Sequence, residues 1–289
     1  MSGNFDREAR AHLVEAEKKA NHRGWFGGNK LEEASELYGK AANAFKLSKK
    51  WKEAGDAFMS QAGVLNRMNE RDEAASSYMN AAKCFKKNSP QDAISALQQA
   101  VEILTERGRF QAAANHQKQI AEIYETELAD FEKAMHAYEI AAEWFHGEDS
   151  NAQANACLLK VGTFAAQIEQ YEKAIEKFEQ VATNSMDNNL TRFSLREYFL
   201  KAGLCCLCTL DYVRTRQALE RYKNMDASFE QTREYNFLKA LLDAAEEQDK
   251  VAFADALDSW NRLTTLDSWK VSLLTKVKAK AFADEIDFT

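Results

Sequence analysis

A single proline, Pro90, and eleven glycines are spread over 289 residues. β-Sandwiches, barrels and doubly wound sheets need turn residues roughly every 8–12 positions, so this scarcity largely excludes all-β and α/β architectures. The five cysteines are an odd number without a CxxC spacing, which gives no sign of a disulfide framework. The start, MSGNFDREAR, lacks an apolar segment of the secretory kind, and a cytosolic location is expected. No apolar run approaches the ~18 residues of a spanning helix. The longest, residues 202–210, is about half that length, so any membrane contact is expected to be peripheral. Lys plus Arg number 38 against 45 Asp plus Glu, a net charge of −7, which argues against nucleic acid as the main partner. With 45% hydrophobic and 29% charged residues, the chain lies far from the composition of disorder and is long enough to build a large core.

What the sequence does contain is a repeat. LEEASELYGKAANAF from Leu31, WKEAGDAFMSQAGVL from Trp51, RDEAASSYMNAAKCF from Arg71 and FEKAMHAYEIAAEWF from Phe131 share one template. An alanine is followed by an aromatic at +4, a small or apolar residue near +7 and a large apolar residue at +11. The anchors Ala34, Ala54, Ala74, Ala93, Ala113, Ala134, Ala154 and Ala174 are separated by 20, 20, 19, 20, 21, 20 and 20 residues. A ninth segment, SLREYFLKAGLCC from Ser194, fits loosely.

These offsets fall on one face of a helix with 3.6 residues per turn, so each segment predicts an amphipathic helix in which Ala admits a neighbour and Phe or Tyr fills the gap. Such a helix buries its stripe only by stacking on others. The fold predicted is all-α: a tetratricopeptide-like right-handed α-solenoid, a twisted sheet of antiparallel helical hairpins, capped by a C-terminal helical bundle. Two helices per repeat occupy about 40 residues against 34 in the ordinary tetratricopeptide unit. Ser89-Pro90 supplies an N-cap and an N1 proline, while Gly108 and Gly147 fall at joins between helices. An initial helix is expected over Arg7 to Ala20. Past about Asp211 the period gives way to helices over Tyr212 to Lys223, Phe229 to Glu247, Val251 to Thr264 and Trp269 to Phe282. The expected organisation is therefore 1–30 for the first helix and an apolar loop, 31–210 for the repeats and 211–289 for the bundle.

Signals for chemistry are weak. Residues Gly24 to Leu31 brush against a phosphate-binding loop, but Asn29 replaces the required second glycine, Leu31 the Ser or Thr, and no strand precedes. The five histidines (His12, His22, His116, His136 and His146) are scattered without metal spacing, and Cys205, Cys206 and Cys208 sit in an apolar helix where free cysteine packs as a small hydrophobe. Neither GxSxG nor HExxH occurs. No catalytic residue, metal or cofactor is expected.

Two places break the template. Trp25 and Phe26 lie between glycines on a loop, either folded back on the first repeat or presented to a bilayer or a partner pocket. At the other end Lys276, Lys278 and Lys280 precede Asp284, Glu285, Ile286, Asp287 and Phe288, either a helix dipole pairing followed by a frayed end or a docking peptide for a basic groove.

WFGG followed by LEEA, GRF with IAEIYETEL, CLLKV, SLREYFLKAGLC, LDSW and an acidic end with a penultimate apolar residue form a long, ordered set of motifs. Through them the chain resembles the α-type soluble NSF attachment proteins over essentially its whole length. The resemblance implies an adaptor without enzyme activity, several copies of which wrap a four-helix SNARE bundle (syntaxin-type and other SNAREs), recruit the hexameric ATPase NSF and transmit its work. It implies membrane contact at Trp25 and Phe26. It also implies SNARE contact at Lys160, Arg196 and Arg233; Asn115 and Ala156 stand where the family often has lysine, and Lys118 and Lys201 are the candidates to replace that charge. ATPase binding and stimulation are implied for Asp284, Glu285, Asp287 and Phe288, with Ile286 in place of a usual acid. The competing classes are a general tetratricopeptide-like scaffold for peptide tails, which needs a carboxylate clamp of Lys, Asn and Arg in one groove, and an enzyme, which needs a cleft of convergent polar groups. Neither feature is visible in the sequence.

Overall fold

The eight anchor alanines are all buried, none more than 2% exposed. The large residues that follow them are buried with them: Tyr38, Phe58, Tyr78, Leu97, Tyr138, Leu158 and Phe178 at +4, and Phe45, Leu65, Phe85, Leu104 and Phe145 at +11. The period read in the sequence is thus the period of the buried face. Each fully buried Leu or Phe of this kind contributes about 1.5–3 kcal/mol.

The computed structural model of the chain describes residues 2–21, 28–186 and 192–283. Among them are fourteen α-helices and no strand. The chain divides into two compact units, Met1–Ser150 and Asn151–Thr289, and the repeat helices contribute to both. The first unit holds α1 (Ser2–Ala20), α2 (Gly28–Leu47), α3 (Trp51–Arg67), α4 (Arg71–Phe85), α5 (Pro90–Glu106), α6 (Phe110–Thr126) and α7 (Phe131–Gly147). Each of these packs on the next in the chain, the arrangement of a tetratricopeptide-like solenoid.

The second unit holds α8 (Asn151–Gln167), α9 (Tyr171–Ser185), α10 (Leu195–Cys208), α11 (Tyr212–Met225), α12 (Arg233–Glu246), α13 (Lys250–Asn261) and α14 (Ser268–Ala281). Here simple succession ends. Helix α10 touches α9, α11, α12 and α14, and α14 also reaches α8. Cys205, Cys206 and Cys208 lie in this hub, all buried, and burial pushes the thiols of Cys206 and Cys208 up to about 12. Gly203 lets α12 approach: a Cβ there would stand 2.6 Å from Leu238 Cδ1.

Six of the helix joins follow one geometry. The backbone N–H groups of Lys50, Glu70, Arg109, Ser150, Gln170 and Asp249 donate to the carbonyls five residues earlier, over 2.8–2.9 Å. The residue before each donor has a positive φ: Lys49, Asn69, Gly108, Asp149, Glu169 and Gln248. This is the Schellman closure of a helix. Only Gly108 is a glycine. Gly147, expected at a join, is instead the last residue of α7, and Asp149 takes the left-handed turn. For an L-residue that conformation costs about 1–2 kcal/mol, partly offset for glycine by its larger unfolded-state entropy. Replacing the exposed Lys49 (φ 61°) by Gly should therefore stabilise the protein by about 0.5–1 kcal/mol, read as a higher urea midpoint with unchanged slope.

Several boundaries differ from expectation for local reasons. Helix α1 begins at Ser2, earlier than Arg7. Thr232 is extended (ψ 154°) and its Oγ1 accepts from the Tyr235 N–H, so the expected helix from Phe229 becomes a 3-10 turn at Phe229–Gln231 followed by α12. Ser89 does precede N1 Pro90, but its side chain makes no capping bond. Asp130, Asp211, Asp249 and Asp267 are the residues whose carboxylates cap helix starts.

Candidate functional site

Of the basic residues singled out by the sequence, Lys160, Arg196, Lys201 and Arg233 belong to the second unit. Lys160 is exposed on α8, its Nζ 5.7 Å from the centroid of the Phe164 ring. The Thr163 carbonyl on the same helix accepts a 3.1 Å hydrogen bond from Trp269 Nε1 of α14. Trp269 meets Phe178 edge to face at 5.8 Å, and Lys201 of α10 lies against both rings, its Nζ 5.7 and 5.6 Å from their centroids. Lys201 thus lies over an aromatic pair from α9 and α14 that is hydrogen-bonded to α8, the helix bearing Lys160.

Beside it Lys270 is buried, its Nζ donating to Glu197 at 2.9 Å and Asp267 at 2.8 Å. Burial works to lower the pKa of this amine, but its hydrogen bonds to Asp267 and Glu197 prevail, and the net direction is up. For Lys201 burial prevails: its pKa is lowered although Glu197 and Asp267 oppose the change. The two amines therefore have opposite standing. Lys270 is neutralised by partners, whereas the Lys201 cation is held at a desolvation cost that an acidic partner would offset. Arg196 is exposed on α10, one residue before Glu197.

Arg233 belongs to a different place, a groove of about 500 Å³ between α12 and α13 whose walls include Phe237, Ala240, Ala256, Trp260 and Leu263. Its guanidinium carbon stacks 3.9 Å from the Trp260 ring centroid and Nη1 donates to Thr264 Oγ1 at 2.8 Å, while Nε and Nη2 are buried without an acceptor. It is thus a wall of a groove rather than a charge on an open helix face. Lys118 lies in the first unit, on α6, half-buried and 3.8 Å from Glu122. Asn115 and Ala156 are both exposed, and the Asn115 amide donates back to the Gln111 carbonyl of its own helix at 2.8 Å.

Trp25 and Phe26, and likewise Asp284, Glu285, Asp287 and Phe288, lie outside the described residues. The helix before them is well anchored. Lys276 and Lys280 of α14 both pair with Glu169, at 3.0 and 3.2 Å, and hold its carboxyl below the usual range. Pairing of these lysines with the helix dipole is one of the two readings that the sequence leaves open for this end of the chain. The sequence alone gives no functional role to Trp269, Lys270 or Glu169, since Thr163, Glu197 and Lys276, which meet them, lie far along the chain; the LDSW motif, whose Asp267 caps α14, was the available signal for Trp269.

Among the described residues no group of three His, Cys, Asp or Glu is placed to hold a metal ion, and no helix is long and apolar enough to cross a membrane. The exposed cations Lys160 and Arg196 and the half-buried Lys201 are suited to recognising acidic side chains spread over a large surface.

The family described as soluble NSF attachment protein, SNAP, matches residues 7–281. The chain belongs to that family. A beta-soluble NSF attachment protein of Bos taurus is 45% identical over 285 residues, covering 96% of this chain and 95% of the relative. The alpha-soluble NSF attachment protein of Mus musculus is 43% identical over 286 residues, covering 97% of both chains. A probable vesicular-fusion protein sec17 homolog of Schizosaccharomyces pombe is 42% identical, with 96% of this chain and 97% of the relative aligned. Similarity at this coverage selects the attachment-protein reading over a general peptide-binding scaffold.

Proposed function

We propose that this soluble NSF attachment protein family member is an adaptor in vesicle fusion that holds SNARE four-helix bundles, syntaxin-type bundles among them, and presents them to the hexameric ATPase NSF for disassembly. The observation that carries the reading is the placement of Lys160, Arg196 and Lys201 on α8 and α10, two helices packed directly against α14, the helix that precedes the acidic segment, with Lys201 over the Phe178 and Trp269 rings. Lys118 and Arg233 extend the SNARE-binding set. Many weak ion pairs give steering and register while tolerating different acidic bundles. The protein acts from the cytoplasm and associates with membranes peripherally. A pull-down from a detergent extract tests this: SNAREs and a hexameric ATPase should be retained together and separate on ATP hydrolysis, and retention of neither would refute the adaptor role.

Trp25 and Phe26 are assigned to the membrane. Burying both rings contributes roughly 2–5 kcal/mol to bilayer association. Trp25→Ser with Phe26→Ser should slow disassembly of liposome-anchored SNARE complexes and leave soluble complexes unaffected; equal loss in both assays refutes the assignment.

Asp284, Glu285 and Asp287 are assigned to ATPase recruitment and Phe288 to its stimulation. Charge sets encounter and orientation, whereas an apolar anchor in a pocket selects one bound state. Phe288→Ala should keep SNARE binding and recruitment but lose ATPase stimulation, measured as turnover at saturating adaptor.

A further inference from the structure

We propose that α14 transmits force directly to the helices bearing Lys160, Arg196 and Lys201, past α11–α13, through a clamp centred on Glu169 and Trp269; the inference rests on the adaptor reading above. The contacts are spread along α14. Near its start Trp269 Nε1 is bonded to the Thr163 carbonyl, 106 residues away, and Lys270 to Glu197. Toward its end Lys276 donates to the Gln167 carbonyl at 3.3 Å, and Lys276 and Lys280 share Glu169. Those partners lie on α8, on α10 and in the turn joining α8 to α9. A pull entering α14 from the acidic segment first meets the edge-on contact of Phe282 with Phe253 of α13, at 5.3 Å, then the Glu169 clamp within the last turns, and is shared along the helix by shear.

The covalent route is softer. Helix α13 buries only Phe253 and Trp260, and residues 262–265, which lead back toward α14, are exposed. Segments with so little burial open at low free energy and yield before a packed interface does.

Glu169 itself carries the second observation. It holds the left-handed position of its turn, φ 62°, where glycine would be free of strain. Its one feature that glycine lacks is the carboxylate bridging Lys276 and Lys280. This separates structure from transmission: Glu169→Gly relieves the backbone while removing the clamp.

The test is disassembly of a soluble SNARE complex by the full chain with the hexameric ATPase and ATP, alongside SNARE binding, ATPase recruitment and urea unfolding. Glu169→Gly should bind and recruit to within about twofold of the unaltered protein and unfold at an equal or higher urea midpoint, yet disassemble about threefold more slowly per recruited complex. Adding Trp269→Phe, which keeps the ring and removes the N–H donor, should bring the loss to about tenfold. The charge swap Glu169→Lys with Lys276→Glu and Lys280→Glu should restore part of the rate, since lysine already occupies the equivalent turn at Lys49 (φ 61°) while the Lys276 donor to the Gln167 carbonyl is lost. Unaltered disassembly by the double variant overturns the proposal, as does a loss fully accounted for by weaker binding or a swap without rescue. If the unaltered chain binds neither partner, the adaptor reading fails and takes this proposal with it.

Discussion

Phe199→Ala should cost about 3–5 kcal/mol. Phe199 is fully buried, stacked on Tyr222 with ring centroids 4.8 Å apart and packed edge-on against Phe229 at 5.0 Å. Phe229 in turn meets Tyr235 at 5.7 Å, and the Tyr222 hydroxyl donates to Glu179 at 2.6 Å. The cluster built on this ring thus joins α9, α10, α11, the 3-10 turn and α12. Its neighbours come from separate helices that cannot close on the space together, so the cavity term is felt in addition to lost burial. Set against a typical total of about 5–15 kcal/mol, this loss should lower the urea midpoint markedly, whereas Phe199→Leu should cost far less. A loss below about 1 kcal/mol for the alanine variant would show that the cluster collapses around the gap.

The second large effect is on binding. Lys160→Glu with Arg196→Glu should reduce SNARE binding by about tenfold or more at low salt and progressively less as salt rises, because both side chains are exposed and act through screened charge. Far-UV circular dichroism should be unchanged. Wild-type binding by this double variant across the salt range would move the contact face elsewhere.

Lys201→Met is the informative companion. The Lys201 pKa lies below its ordinary value of 10.5 because burial disfavours the cation. The cost of holding that cation is fully present below the folded-state pKa and disappears as pH rises from there toward the unfolded value. Removing the charge while keeping the packed chain should therefore leave stability equal or higher at neutral pH, flatten its rise with alkaline pH, and still weaken SNARE binding. Stability and binding moving in opposite directions would mark Lys201 as a group kept for its partner. Had Arg233→Glu been chosen instead, any loss would mix binding with collapse of the Trp260 stack.

Much of the architecture was legible in the chain. The anchors from Ala34 to Ala174, with Tyr38, Phe58, Phe145 and Phe178 beside them, show their buried face by spacing alone, because a helix stacked only on its neighbours carries the whole requirement within its own residues. The scarcity of proline and glycine excluded strands for the same local reason. Even the joins nearly declared themselves, though Asp149 rather than Gly147 takes the left-handed turn, since helix closure requires a backbone conformation that residues other than glycine adopt at a modest cost.

What the sequence by itself determined, then, is the repeated helix, its buried stripe and, through the ordered motifs, the family. Tertiary structure alone decided that the compact units divide between Ser150 and Asn151, that α10 becomes a hub, that Arg233 lines a groove, and that α14 returns to α8 and α10. A lysine codes for charge, not for burial: Lys201, Lys270 and Lys276 look alike in sequence, and differ only because Trp269, Glu197 and Glu169 come to meet them. Trp269 and Thr163 stand 106 residues apart, and contacts at such separation obey no local period; they exist only once the intervening helices have packed.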